Sequence, residues 1–347
     1  MDDIAPLRIL DAAANRASEG LRVIEDYLRF ALDDPHLTNL CKQLRHDLAE
    51  ALRHLPSPQR HAARDTQADV GTEIAGHTEF QRFDATAVVA AGFKRVEQAL
   101  RSLEEYGKLI AVDFAAAIEQ LRYRTYTLER AADLTRANAE SLSDARLYVL
   151  IDGRSSLDEF AQLVQSLVEA RVDCLQLRDK TLVDRELIAR ARYLRKLTRG
   201  TKTLAVINDR ADIARLVDAD GVHVGQDELS VKDARTVVGP RALVGVSTHS
   251  IEQARAAVLD GANYIGVGPT FPSTTKHFDL LAGLGLLRAV AAEIRLPAFA
   301  IGGVTLENID EVLASGIKRV AVSAAIANAG DPADIARQFV QRLARDR

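Results

Sequence analysis

Cysteine is nearly absent from this chain: Cys41 and Cys174 are the only two among 347 residues. So distant a pair argues against both a disulfide framework and a thiolate metal site. Long apolar runs are missing too, and no stretch reaches the ~18 consecutive apolar residues that span a bilayer. The amino terminus, MDDIAPLRIL, lacks the basic-then-apolar layout of a secretory signal. Charge of one sign is not in excess. Against 45 basic side chains stand 49 acidic ones, and a formal net charge of -4 offers no electrostatic footprint for nucleic acid. There is no Ser-His-Asp spacing, HExxH, CxxC, Walker or dinucleotide fingerprint. These absences predict a soluble, reduced, cytoplasmic protein with neither a membrane nor a nucleic acid as partner.

What is present is the composition of a folded protein, 47% hydrophobic and 27% charged, which argues against long disorder. At ~100–200 residues per domain, the length predicts two domains, or a barrel with an attachment. Residues 1–140 carry almost no strand signal. Leu10, Ala14, Ala17, Leu21, Ile24, Leu28 and Ala31 follow alternating steps of four and three, one stripe of a helix. Leu37, Cys41, Leu44 and Leu48 make a second stripe, and Val89, Phe93, Val96, Leu100 and Leu103 a third. Phe114, Ile118, Leu121, Thr125, Leu128 and Ala132 make a fourth. Each stripe has to be buried against another helix.

These helices contain a repeat. A shift of 79 residues places Arg16, Leu21, Arg22, Glu25 and Tyr27 on Arg95, Leu100, Arg101, Glu104 and Tyr106. At nearly the same shift Leu44-Arg45 falls on Leu121-Arg122. The pattern predicts a duplicated helical hairpin about an approximate twofold, its copies joined by the segment 56–84, with the matched arginines sharing a buried role. The polar stretch RAADLTRANAESLSDA (130–145) loses the apolar rhythm and is read as the junction.

Beyond it, short β-branched runs alternate with helical patterns: RLYVLI, CLQLRD, LAVIND, GVHVG, LVGVS, YIGVG, AFAIG and RVAVS. Eight strand–helix units in ~200 residues predict a (β/α)₈ barrel over 145–347. Overall the chain is α/β, a TIM barrel preceded by an all-α duplicated hairpin domain. In such barrels the active site lies at the carboxyl ends of the strands. Period-two alternation turns Cys174, Gln176 and Arg178 inward and Leu175 and Leu177 toward the helix layer. Asp209 and the acids of Gly225-Gln226-Asp227-Glu228 end adjacent strands, where two carboxylates can share a hard cation such as Mg²⁺. Asp209 could equally be a helix N-cap. Ser273, Thr274, Thr275 and Lys276 lie on a Gly/Pro-shaped loop suited to anions. Gly302-Gly303 and Ser323-Ala324 each lead into a helix, as the phosphate sites of this fold do. His223, within the fourth strand, and His249, after the fifth, are read as packing or hydrogen-bonding residues rather than proton carriers.

Taken in order, QLRDK, IND, GVHVGQDE, GVSTHS, YIGVGPTFPSTTK, AIGGV and VSAAI resemble the thiamine-phosphate synthases, across the whole barrel. The resemblance implies that hydroxymethylpyrimidine diphosphate is joined to thiazole phosphate with Mg²⁺, releasing pyrophosphate, and CO₂ when the thiazole is carboxylated. It implies that Gln176, Arg178, Lys180, Asn208, Ser247 and Lys276 hold the pyrimidine diphosphate. Arg178, Lys180 and Lys276 would act on the leaving group. Ser273, Thr274, Thr275, Gly303, Ser323 and Ala324 would hold the thiazole phosphate, and Asp209 and Glu228 the metal. The family commonly has Glu-Asp where this chain has Asp227-Glu228, so the second metal acid is Glu228 by alignment or Asp227 by chemistry; the longer arm favours Glu228. Ser273 stands where threonine is usual, and the serine of Ser323-Ala324 comes one place early. A related thiazole tautomerase shares the fold and phosphate site but tends to lack the pyrophosphate-binding arginine and lysines, all of which stand here.

The helical segments NRASEGLRVIEDYLRF, LRHDL, RDTQADVGTE, GFKRVEQALRSLEEYGK and LRYRTY resemble a domain fused ahead of such synthases and assigned as a hydroxymethylpyrimidine-phosphate kinase. On that reading Arg16, Arg22, Arg64, Lys94, Arg95 and Arg101 would form a phosphate cradle, with Asp65 and Asp69 near a metal. The other reading is structural: Arg/Glu pairs at helical spacing form solvated salt bridges and an oligomer face. The duplicated unit and the barrel family are both compatible with a homo-oligomer.

Overall fold

The stripes of the first 140 residues become helices α1 (Ile4–Phe30), α2 (Pro35–Leu52), α3 (Ala85–Gly107) and α4 (Val112–Ser141) in the computed structural model. The structure describes residues 4–55, 62–63, 82–272 and 281–344. Starts are set by local chemistry. Asp34 caps α2 by accepting from the Leu37 N–H at 2.8 Å, with Pro35 at the first helical position, and Asp84 caps α3 by accepting from Ala87 N–H at 2.7 Å. The chain divides into two compact units, Met1–Asp133 and Leu134–Arg347, with the division inside α4.

In the first unit all four stripes are buried, except that Ala31 falls just past the end of α1 and is exposed. Gly20 lets α1 approach α3 closely, since a Cβ there would stand 2.6 Å from Val96 Cγ2 and 3.3 Å from the Gly92 carbonyl. The repeat reappears as a pair of equivalent bonds: Arg45 Nε donates to Glu25 at 2.9 Å and Arg122 Nε to Glu104 at 2.8 Å. The expectation of a buried role for every matched arginine is corrected. Arg16, Arg22, Arg95 and Arg101 are exposed, because they lie on the outer faces of α1 and α3. Of the matched arginines Arg122 is buried and Arg45 half-buried, both on the second helix of a hairpin. The RDTQADVGTE segment, with Arg64, Asp65 and Asp69, lies outside the described residues.

The polar stretch after residue 130 proves to be helix as far as Ser141. Its buried face continues through Leu128, Ala131, Ala132, Thr135 and Asn138 to Leu142, so the helical rhythm persists in polar residues. Within the second unit Asn138 is satisfied by the barrel. Its Nδ2 donates to the Ala262 carbonyl at 3.2 Å, and its Oδ1 accepts from Asn263 Nδ2 at 2.7 Å.

The eight β-branched runs form β1 (Leu147–Ile151), β2 (Cys174–Leu177), β3 (Leu204–Asn208), β4 (Gly221–Val224), β5 (Leu243–Thr248), β6 (Tyr264–Val267), β7 (Ala298–Ile301) and β8 (Val320–Val322). All pair in parallel and in sequence order, and β8 closes on β1. Inward positions carry Tyr148, Leu150, Cys174, Val206, Tyr264, Phe299 and Ala321, one packed interior cluster. Tyr148, Tyr264 and Phe299 stack edge-on or tilted at 5.4–5.8 Å, and the two tyrosine hydroxyls lie 3.1 Å apart. Gly245 has no side chain because the Tyr264 ring fills that space. Toward the strand ends the inward residues turn polar: Gln176, Asn208, His223 and Ser247.

Both cysteines are free and buried, and burial drives both thiols well above their ordinary range, Cys41 to about 12. No helix among the described residues is long and apolar enough to cross a membrane.

Candidate active site

A cavity of about 690 Å³ opens at the carboxyl ends of the strands. Gln176, Arg178, Lys180, Asn208, Asp209, Glu228, Ser247, Gly303, Ser323 and Ala324 all line it, although they come from six different strand ends. Ser273, Thr274, Thr275 and Lys276 lie outside the described residues.

The floor is built from β2 to β5. Gln176 is 2% exposed and donates through Nε2 to Asn208 Oδ1 at 2.7 Å, an orientation set by the inward register of β2 against β3. Beside it, Ser247 Oγ lies 3.0 Å from His223 Nε2. Burial of His223 lowers its pKa to about 4, so the ring is neutral near pH 7.

On one wall, Lys180 reaches from the β2 end toward two carboxylates, 3.6 Å from Asp209 Oδ2 and 3.9 Å from Glu228 Oε1. Two anionic oxygens from adjacent strand ends therefore converge on one cation. The backbone of Asp209 is held by its N–H donating to the His223 carbonyl at 2.8 Å, and its φ of 60° is left-handed. Glu228 folds back over Gly225, where any side chain would collide with its carboxylate. Asp227 also lines the cavity, but the ion pair with Lys180 belongs to Glu228. This all-oxygen donor set fits Mg²⁺, which takes one or two carboxylates and completes its shell with water and phosphate oxygens. Among the described residues no group of three or more such ligands stands together, so substrate or water would have to supply the rest.

The opposite wall is backbone. Gly302 and Gly303 have φ of 96° and 65°, and a Cβ on either would strike the β6 loop at Pro269 or Phe271. The Phe271 N–H donates to the Gly302 carbonyl at 3.0 Å, which ties the two loops together. Ser323 and Ala324 complete this wall at the start of a short helix.

Asp179 and Gln253 escape a reading of the sequence, whereas His249 makes the kind of hydrogen bond expected of it and Gln226 lies in a segment already singled out. Asp179 lies between the two cavity cations, yet its carboxylate turns the other way. It accepts from Gly153 N–H at 3.0 Å, Thr181 N–H at 2.8 Å, Thr181 Oγ1 at 2.7 Å and Leu182 N–H at 3.0 Å. Burial alone would raise its pKa, but these four donors outweigh it and hold the carboxyl at about 2. Gln226 and Gln253 line the cavity, and Gln226 donates to the Ser247 carbonyl at 2.6 Å. His249 donates through Nδ1 to the Gly268 carbonyl at 2.6 Å, fixing the start of the β6 loop. Only residue type and a place near a strand end could have marked Asp179, whose Gly153 donor lies 26 residues upstream.

Comparison with known proteins gives two family matches. The family model described as thiamine monophosphate synthase matches residues 147–326, and that of the ThiD2 family matches residues 8–131. A thiamine-phosphate synthase of Rhodopirellula baltica is 49% identical over 92% of this chain and 88% of its own length. One from Synechocystis is 40% identical, over 97% of this chain and 96% of its own length. Among solved structures, thiamine phosphate pyrophosphorylase from Pyrococcus furiosus superimposes with a TM-score of 0.53 at 31% identity, covering 58% of this chain and 96% of that one. With an eight-stranded closed barrel, a polar mouth and relatives matched over nearly its whole length, the chain belongs to the thiamine-phosphate synthase family.

Proposed function

We propose that the barrel, residues 145–347, joins hydroxymethylpyrimidine diphosphate to thiazole phosphate, forming thiamine phosphate and pyrophosphate. The observation that carries this reading is the meeting in one cavity of Gln176, Arg178, Lys180, Asn208, Asp209, Glu228 and Ser247, opposite the backbone wall of Gly303, Ser323 and Ala324. The bond from the exocyclic methylene carbon to the diphosphate oxygen breaks with its electrons leaving on pyrophosphate. The electron-rich aminopyrimidine stabilises the resulting cation, and the thiazole nitrogen then supplies the electron pair of the new carbon–nitrogen bond. No protein nucleophile is needed. Arg178, Lys180 and Lys276 stabilise the charge that grows on the leaving group. Gln176, Asn208 and Ser247 orient the pyrimidine, and Ser273, Thr274, Thr275, Gly303, Ser323 and Ala324 hold the thiazole phosphate so that its nitrogen faces the cation. Mg²⁺, held by Asp209 and Glu228, would neutralise diphosphate charge when bound.

The full chain supplied with both substrates and Mg²⁺ is expected to form thiamine phosphate and pyrophosphate in equal amounts. Arg178→Ala should lose about 10²–10³ in rate, the scale of one strong transition-state donor. Absence of product from the wild-type chain, or an Arg178→Ala variant that releases pyrophosphate at the wild-type rate, overturns the assignment.

A second activity is favoured for residues 1–140 by the ThiD2 family match over residues 8–131. On this reading the helical unit phosphorylates hydroxymethylpyrimidine phosphate with ATP, making the diphosphate that the barrel consumes. The full chain given the monophosphate, ATP, Mg²⁺ and thiazole phosphate should then form thiamine phosphate. If product appears only from the diphosphate, the helical unit is a structural or oligomerisation module.

A further inference from the structure

His223 has one partner where a buried imidazole normally has two. Its Nε2 is 3.0 Å from Ser247 Oγ, whereas Nδ1 is buried and has no hydrogen-bond partner among the described residues. The ring lies in the barrel interior among aromatic neighbours, 5.5 Å from the Tyr264 ring and 6.4 Å from that of Tyr148. Those two tyrosines turn their hydroxyls to each other at 3.1 Å.

A neutral imidazole carries one proton, and the two tautomers differ in what they strand. With the proton on Nδ1, a buried N–H donor has no acceptor, and Nε2 accepts the only proton of the Ser247 hydroxyl. With the proton on Nε2, the ring donates to Ser247 Oγ and only a lone pair is left unpartnered. Orphaned buried N–H groups are rarer than under-used acceptors, so the second arrangement is the cheaper one. It also has a consequence for the cavity. Ser247 already accepts from the histidine, so its own proton is free to point at whatever occupies the floor.

We propose that His223 is a positioning residue, whose Nε2–H tautomer fixes the Ser247 hydroxyl as a hydrogen-bond donor to a ring acceptor of the bound pyrimidine. This rests on the reading of the cavity as the pyrimidine site. It adds a specificity rule: the floor selects a heterocycle that presents an acceptor, such as an sp² ring nitrogen, and disfavours one that presents an N–H there.

The tautomer is readable without any substrate. Two-bond ¹H–¹⁵N correlation spectra of histidine-labelled full chain, with His223 assigned by its loss in a variant, should show the proton on Nε2 at pH 7. A proton on Nδ1, or an imidazolium, overturns the proposal whether or not the synthase reading stands. Kinetics supply the second arm. His223→Phe keeps a planar ring but removes the donor, and should raise KM for the pyrimidine diphosphate about tenfold, the scale of one hydrogen bond. KM for the thiazole phosphate should not change. His223→Gln returns an N–H donor and should recover most of the loss. In a Ser247→Ala background His223→Phe should cost nothing further, because the two act as one unit. Additive losses, or equal changes in both KM values, overturn the proposal. A wild-type chain that makes no thiamine phosphate overturns the synthase reading instead and leaves the spectroscopic result to be judged by itself.

Discussion

Arg122 donates through Nε to Glu104 at 2.8 Å, with the two side chains only 10% and 5% exposed, on the same pattern by which Arg45 meets Glu25 one repeat earlier. The partners belong to opposite helices of each hairpin, so each bond pins the second helix to the first. Breaking a buried ion pair typically costs about 3–5 kcal/mol, and the lower end applies here because Glu104 keeps a 2.7 Å bond from Arg101. Arg122→Met should therefore destabilise the helical unit by about 3 kcal/mol, and the double variant Arg122→Met/Glu104→Gln should regain part of that. Arg45→Met should cost less, because its pair is 24% and 18% exposed. Urea denaturation followed by circular dichroism checks the order; equal losses at the two positions would contradict it.

The geometry around Lys180 yields a test that distinguishes the two candidate acids, Asp227 and Glu228. Asp209 and Glu228 both approach its ammonium, within 3.6 and 3.9 Å, whereas Asp227 has no ion pair with it. Asp209→Asn and Glu228→Gln should each raise the Mg²⁺ concentration for half-maximal rate about tenfold or more, since losing a ligand weakens a site at least as much as losing its outer support. Asp227→Asn should shift it by less than about threefold. A magnesium titration of initial rates decides this, and a larger shift for Asp227→Asn would reverse the assignment.

Asp179 predicts a pH dependence. Its carboxyl lies near 3.8 when unperturbed and at about 2 in the folded chain. A depressed carboxyl stabilises the fold fully above the unfolded value, and that contribution is lost as pH falls toward the folded one. Asp179→Asn should thus cost on the order of 1–2 kcal/mol near pH 7, discounted for partial solvent screening. The gap to wild type should close as pH falls from about 4 to 2. Denaturation curves over that window check the sign; a gap that widens in acid would refute it.

How much of this could be read from residues alone depended on how far away each partner lay. The barrel was legible because eight short β-branched runs each obey a local period, and the inward turn of Gln176 followed from alternation within β2. Asp209 and the acids of Asp227-Glu228 were marked by lying at adjacent strand ends, while the preference for Glu228 came from the family resemblance. Asp179 was not legible, because it sits between Arg178 and Lys180 like one more surface charge, while a key donor, Gly153, lies 26 residues upstream. The matched arginines misled for the opposite reason. Their periodicity reported equivalence between repeats, but Arg16, Arg22, Arg95 and Arg101 repeat on solvent-facing positions. Full burial belonged to Arg122 and partial burial to Arg45, whose acid partners lie 18 and 20 residues away.

Asn138 shows why the polar end of α4 did not read as helix, and it yields the last prediction. A helix face is recognised by apolar residues, yet here the buried positions are Thr135 and Asn138, 1% and 3% exposed. Asn138 is affordable there because its amide spans the Ala262 carbonyl and the Asn263 side chain, while Asn263 Oδ1 in turn accepts from the Val244 N–H at 2.7 Å. Replacing it removes two partners at once from groups that water cannot reach. Asn138→Leu, close in volume, should therefore destabilise the barrel unit by about 1–3 kcal/mol, the cost of stranding buried polar atoms. Exposed Ala139→Leu in the same turn should change stability by less than about 0.5 kcal/mol. Hydrogen exchange at the Val244 amide reports the local effect, because without Asn138 the Asn263 side chain keeps only Arg235 as a side-chain partner among the described residues. Unchanged protection there, with unchanged stability, would mean that the network contributes nothing and that α4 is held by its apolar residues alone.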